Sequence, residues 1–442
     1  MQTRASDRML ELQLSRGAPH HFDAVATTSN RSIPEFLFRS SISILVSTIF
    51  IFPQFGINFG SYSLNFSLIA IYLVLVLGLF FGVFQLSLPR ILLYFAVTFF
   101  GVVSLRANGG PSAPSFVLLA VIYFPLVFVA KPQANQDWQP FAIAKFCDYA
   151  AFVAVVGCVQ FVAQIAIHGD WLFASYKLIP EPIKASGVYN TVIEAAGGLK
   201  KSNGFFLREP SFMSMLCAIA LLLEYFHYRR PIRLAMLAGG MLVSLSGTGI
   251  IILLFGLFFP VRLNSLVRAV GLGAAFTVVY LILSEVLDLS VFTNRVAEFQ
   301  TPGTSAYARF VAPYLLLSRD FDYPPWAALL GHGPGSISAA ALTFASPGGS
   351  HDPTWAKSMY EYGLLGAFAI LSLLVVSLWR SWPSAEFKIA MLYAWLASGG
   401  QLLSPDFMAL LFVVVSLWPK TNDPWPRADF PDGVGAQLAS SK

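Results

Sequence analysis

The sequence predicts an all-α polytopic membrane protein, with about twelve transmembrane helices and two long loops that contain short amphipathic helices. Three observations carry that prediction. Hydrophobic residues make up 56% of the 442 and charged residues 12%, where a soluble domain is nearer half apolar and about a quarter charged. Apolar runs long enough to cross about 30 Å of hydrocarbon recur along the chain. Cationic residues gather on alternate connecting segments, as the positive-inside rule requires.

Residues 1–36 are polar and mixed in charge, with no apolar run and no small-residue cleavage site. They read as a cytosolic N-terminal tail, not a signal peptide. Apolar runs follow near 37–56, 65–84, 90–106, 114–130, 141–166, 210–227, 232–246, 248–261, 268–287, 357–379, 387–403 and 405–418. Residues 37–166 thus hold spans one to five, 210–287 spans six to nine, and 357–418 spans ten to twelve. The seventh and eighth runs are short and meet at Ser246-Gly247-Thr248-Gly249, so one re-entrant hairpin is an alternative that leaves the parity unchanged. With the N-terminus inside, inside segments hold 18 of the 28 Lys and Arg. Nearly all the outside cations sit in the two long loops, where the rule does not count them. Both termini, including the tail 419–442, are therefore expected in the cytosol.

Several chemistries are excluded or disfavoured. Cys147, Cys158 and Cys217 all fall inside apolar runs, with no disulfide framework and no paired metal-ligand spacing. There is no P-loop, so no ATPase, and Gly331-His332-Gly333-Pro334-Gly335-Ser336 lacks the strand–turn–helix setting of a serine nucleophile. Asp320-Phe321-Asp322 stands beside Tyr323-Pro324-Pro325 and reads as a turn before it reads as a metal site. Asp148, three residues from Lys145, and Glu224 are intramembrane charges near cytosolic ends, better read as local pairs than as a proton path. The net charge of +5 is modest; the expected partner is the lipid bilayer, and no nucleic acid is expected.

The outside loops, A over 167–209 and B over 288–356, are too long to be simple connectors. They are rich in aromatics, among them Trp171, Tyr176, Tyr189, Phe205, Tyr314 and Trp355, which a solvating linker lacks. These rings either anchor at the membrane interface or stack on sugars. Loop A ends in Lys200-Lys201-Ser202-Asn203-Gly204-Phe205-Phe206-Leu207-Arg208-Glu209-Pro210-Ser211. Pro210 suits the first turn of the sixth span, and a helix N-terminus suits an anion. Arg208 adds a planar fork for phosphate oxygens. Glu209 is either a helix-cap carboxylate or a base that orients a hydroxyl. Loop B begins with a short helix around Val291–Phe299 that carries Arg295. A second helix, Ser305 to Ser318, presents Phe310, Tyr314 and Leu317 on one face, with Arg309 at its border. His332 lies in the glycine-rich turn, and His351 just before the tenth span.

The ordered set Asn203-Gly204-Phe205-Phe206-Leu207-Arg208-Glu209-Pro210-Ser211, Ser246-Gly247-Thr248-Gly249, Arg309, Gly331-His332-Gly333-Pro334-Gly335, and His351 ahead of Gly363-x-x-Gly366 resembles the O-antigen ligase/polymerase superfamily. The Glu-Pro-Ser segment is more similar to the Wzy-type exopolysaccharide polymerases, such as the xanthan polymerases, than to the ligases. The ligase pattern has nine residues between its histidine pair and Gly; this chain has His351-Asp352 and then ten before Gly363, so His351 and His332 both stand as the functional histidine.

The resemblance implies a GT-C-like membrane glycosyltransferase at the periplasmic face of a bacterial inner membrane, with no metal and no cofactor. The donor it implies is an oligosaccharide on undecaprenyl pyrophosphate, moved by metal-independent inverting transfer onto the next lipid-linked repeat. Arg208, Arg309 and Arg295 would then meet the pyrophosphate charge. His351, or Glu209 in second place, would take the proton of the attacking hydroxyl, and His332 and Lys201 are secondary candidates. A flippase, a chain-length regulator or export proteins are the implied partners. The alternatives are a ligase acting on a lipid A-core or other acceptor, and a polysaccharide transporter or flippase, which would predict an inverted repeat.

Overall fold

The computed structural model describes residues 33–59, 62–107, 112–131, 138–167, 170–185, 189, 191–192, 198–260, 299–302, 304–318, 325–337, 340 and 352–419, with single positions between 267 and 281. The chain divides into two units, Met1–Phe36 and Leu37–Lys442. Of the first, only the residues from Ile33 are described, at the start of helix α1 (Ile33–Phe50).

Helices stand over the expected apolar runs, and their starts follow local chemistry. After α1 come α2 (Phe66–Phe80), α3 (Leu88–Ala107), α4 (Ala113–Tyr123) and α5 (Trp138–Ala166). Then follow α6 (Pro210–Leu223), α7 (Pro231–Val243) and α8 (Gly247–Phe258). Loop B contributes α9 (Ser305–Phe310), α10 (Ala312–Ser318) and α11 (Pro325–Leu330). The last are α12 (Thr354–Trp379), α13 (Ala385–Ala397) and α14 (Pro405–Phe412). Ser112, Ser246, Ser384 and Ser404 each precede a helix and accept a backbone N–H from its first turn, satisfying a donor the helix leaves open. Pro opens α6, α7, α11 and α14, where its missing N–H costs nothing.

Among the described residues, four stretches are long and apolar enough to cross a membrane: α3, α5, α6 with its following turn to Tyr228, and α12. The apolar helices α2, α4, α7, α8 and α14 are shorter, and the expected ninth run at 268–287 lies mostly outside the described residues. Leu88, Leu92, Phe95 and Phe99 repeat every three to four residues along α3 and are all about 60% or more exposed. An apolar stripe facing outward suits hydrocarbon, not water. The architecture is that of an all-α membrane protein.

Two departures from pure helix were not legible in the sequence. Strands β1 (Gly56–Phe59) and β2 (Tyr62–Asn65) pair antiparallel, as do β3 (Phe84–Leu86) and β4 (Phe128–Ala130). The fourth apolar run accordingly ends as a 3-10 turn over Phe124–Val127 and then β4. The expected Ser305–Ser318 helix breaks at Val311, between α9 and α10.

Two ends of the bundle can be distinguished by contact. At one, the N-termini of α6, α8, α12 and α14 meet, through Ser214 with Ser246 and Gly249, Arg208 with Asp406, and Asp352 with Gly400. At the other, Trp382 N donates to Trp418 O (2.8 Å), and the Trp382 ring lies against His227 with centroids 4.3 Å apart and planes tilted by 35°. Here Glu224, fully buried, pairs with Arg230, and Asp148 pairs with Arg233 at 2.5 Å. Asp148 thus finds its partner on α7, not at Lys145, because helix packing brings Arg233 nearer than the local turn does.

Candidate functional site

The segment before α6 is built as a rigid turn. Asn203, fully buried, donates from Nδ2 to Leu207 O (2.8 Å) and accepts from Gln160 Nε2 (2.8 Å) and Phe205 N (3.1 Å). Ser202 Oγ donates to Gln160 Oε1 (2.6 Å). Phe205 is held at φ 67°, a left-handed conformation rare outside glycine and maintained by this network. Gln54 Nε2 donates to Leu207 O (3.2 Å) and to Ser175 Oγ (3.1 Å) from the far side. The Asn-Gly-Phe-Phe run is therefore scaffold for the residue that follows it.

That residue is Arg208. Its Nε and Nη2 both donate to Pro53 O (2.8 and 2.5 Å), and its guanidinium lies 5.4 Å from the centre of the Tyr189 ring. Asp406, in the first turn of α14, approaches to 4.0 Å and also accepts a hydrogen bond from Ser67. Burial pushes the Tyr189 phenol up, and the Arg208 charge works against it. Glu209 occupies the N-cap position of α6, but its side chain makes no capping bond; only its carbonyl joins the helix, accepting from Met213 N at 3.4 Å. Lys201 is half-buried next to the Ser202–Asn203 network, and its neighbour Lys200 is ion-paired with Asp170.

The second arginine sits at the neighbouring helix end. Ser214, four residues or about 6 Å of rise into α6, donates to Ser246 O and accepts from Gly249 N, both at 3.1 Å. This clasps the start of α8 to α6. Arg309 reaches from α9 to the same place and donates from Nη1 to Thr248 Oγ1 at 3.3 Å. Its charge also acts on Tyr393 of α13. A half-buried guanidinium on a first-turn hydroxyl, at the positive end of a helix, makes a setting for an anion.

The glycine-rich turn has a different task. Gly363 (φ 69°, ψ 179°) breaks the helical ladder inside α12, which frees carbonyls that a continuous helix would satisfy. His332 N donates to Tyr360 O (2.8 Å), Gly333 N to Glu361 O (2.9 Å), and Ser104 Oγ to Glu361 O (2.5 Å). A β-carbon on Gly331 would run into the backbone of Glu361 and Gly363, and one on Gly363 into the Leu329 carbonyl. Close approach and positive φ together require glycine at both positions. The His332 ring stacks on Tyr360 with centroids 4.4 Å apart. Glu361 is fully buried and bound to Lys357 Nζ at 2.8 Å.

The predicted residues therefore divide. Arg208, Glu209 and Lys201 share the loop before α6, Arg309 joins the start of α8, and His332 belongs to the α12 kink. His351 and Arg295 lie outside the described residues, as does Asp320-Phe321-Asp322. Asp406, Gln54 and the Lys357–Glu361 pair were not singled out from sequence, whereas Thr248 belongs to the Ser246-Gly247-Thr248-Gly249 motif. Ser404-Pro405-Asp406 is a helix-start signal like Glu209-Pro210-Ser211, and Lys357 to Glu361 is an i,i+4 ion-pair spacing.

No curated protein and no solved structure matches the chain. A family model described as WcaD colanic acid polymerase matches residues 41–419, from within α1 to past the end of α14. With nearly the whole helical region covered, the chain belongs to the WcaD colanic acid polymerase family, a family of Wzy-type polysaccharide polymerases.

Proposed function

We propose that this protein extends a bacterial exopolysaccharide by moving the growing glycan from undecaprenyl pyrophosphate onto the next lipid-linked repeat unit, at the periplasmic face of the inner membrane. The observation that carries the proposal is Arg309 on Thr248 at the N-terminus of α8, with Arg208 next to α6, in a chain of a polymerase family.

The acceptor hydroxyl oxygen attacks the anomeric carbon of the donor sugar, and the bond from that carbon to the pyrophosphate oxygen breaks with inversion. The electron pair leaves on undecaprenyl pyrophosphate. Preorganised donors at that oxygen are worth most because they need no rearrangement as charge develops. Arg309, Arg208 and Arg295 supply them, and the N-terminus of α8 adds its dipole. The hydroxyl proton passes to His351, with Glu209 second, since imidazole titrates near neutrality and Glu209 stands beside Arg208.

The test uses purified protein in nanodiscs, with the undecaprenyl-pyrophosphate-linked repeat unit from the producing cells as sole substrate. A ladder of repeats by gel and mass spectrometry is expected, falling on the order of 10²–10³-fold in rate with Arg309→Ala. Unchanged substrate, or a ladder indifferent to Arg309→Ala, overturns the proposal. Product formed only after a lipid A-core acceptor is added would mark a ligase instead.

A further inference from the structure

We infer that Tyr189 is a positioning residue for Arg208, holding the guanidinium plane at the angle in which it meets a pyrophosphate oxygen; this rests on the role proposed for Arg208 above. Three of the groups around that guanidinium are described. Pro53 O takes its Nε and Nη2 edge, Asp406 stands 4.0 Å from Nη2, and Cζ lies over the Tyr189 ring, 5.4 Å from its centre. The carbonyl fixes one edge of the cation, and the ring holds its centre, since a cation is drawn to the negative face of the aromatic quadrupole.

Tyr189 itself is placed independently of Arg208. Its ring stacks on Tyr176 with centroids 4.8 Å apart and planes 19° from parallel, and Lys184 Nζ stands 6.0 Å from the Tyr176 ring. Its hydroxyl donates to Gln54 O (3.2 Å) and Ala185 O, while Ala185 N donates back to Gln54 O (2.9 Å). Pro53 and Gln54 thereby hold both the guanidinium and the ring that faces it. The Tyr176–Tyr189 stack also gives two loop aromatics a packing partner, each ring lying against the other and near a cation.

The experiment measures binding of undecaprenyl pyrophosphate to the full-length protein in nanodiscs, alongside chain elongation and the thermal midpoint. Tyr189→Phe keeps the ring and is expected to bind within about twofold of wild type. Tyr189→Leu keeps bulk without the quadrupole, and its Kd and apparent KM for the lipid-linked donor are expected to rise on the order of tenfold. The double variant Arg208→Ala with Tyr189→Leu is expected to bind no more weakly than Arg208→Ala alone, because the ring acts through the arginine. Where Tyr189→Leu does not fold, Tyr189→Met supplies the same comparison. Weak binding by Arg208→Ala with Tyr189→Leu like wild type, or with additive losses in the double variant, overturns the inference and leaves the role of Arg208 standing. Unchanged binding by Arg208→Ala overturns both.

Discussion

Arginine serves opposite purposes at the two ends of this bundle. Arg90, at the start of α3, is fully buried and donates to four backbone carbonyls: Leu126, Phe128, Ser377 and Val415, at 3.1–3.3 Å. Those carbonyls come from the turn after α4, from β4, from the end of α12 and from the π-helical turn after α14. At the same end Arg230 is bound to the buried carboxylate of Glu224 through both of its oxygens. Arg208 and Arg309 are only half-buried; the hydrogen bonds described for them go to a carbonyl and a hydroxyl, and Asp406 approaches Arg208 no nearer than 4.0 Å. A guanidinium sealed among carbonyls at helix ends staples elements together. One held beside a ring, a hydroxyl and a helix N-terminus is, on the reading proposed above, placed to meet an anionic ligand. The residue type says nothing about which; its surroundings do.

That contrast breaks if the two kinds of arginine respond alike. Arg90→Ala is expected to have the largest effect, lowering stability by about 3–5 kcal/mol, since it strands buried carbonyls from several elements at once. It is read as a fall in the thermal midpoint in detergent, with elongation per folded molecule unchanged. Arg309→Ala should do the reverse, costing rate on the order of 10²–10³-fold with the midpoint unmoved. Gly363→Ala comes next. It forces a side chain into the left-handed kink and against Leu329, and should cost about 1–3 kcal/mol. Lys200→Ala marks the lower bound. Its partner Asp170 lies in solvent, so no resolvable change in midpoint or rate is expected. A midpoint shift for Arg309→Ala as large as that for Arg90→Ala would sink the distinction.

Part of the local structure around the candidate residues was legible in the sequence. Arg208 and Glu209 stand before Pro210, and Pro marks the first turn of a helix; that signal is local and held. Arg309 was readable at the border of an apolar face, but the face that is buried carries Ala308, Pro313 and Leu316, while Tyr314 is exposed. The role of Asn203 and Gly204 was not, because Asn203 works through Gln160 on α5 and only packing brings α5 alongside. His332 looked like chemistry in a glycine-rich turn, yet its backbone N–H serves a carbonyl freed by a kink at Gly363. Asp406 escaped notice because nearly two hundred residues separate it from Arg208.

The sequence by itself determined what depends on neighbours in the chain. Those features are the apolar runs, the helix starts at Ser and Pro, the aromatic content of the two long loops, and a sequence that the family model matches over residues 41–419. The tertiary structure alone decided which polar groups face each other across helices. It set Arg208 against Tyr189 and Asp406, Arg309 against Thr248, and Arg90 against four carbonyls. The physical reason is that burial makes an unpaired polar group costly, which favours a partner for it, and only the packed fold states which partner is within reach.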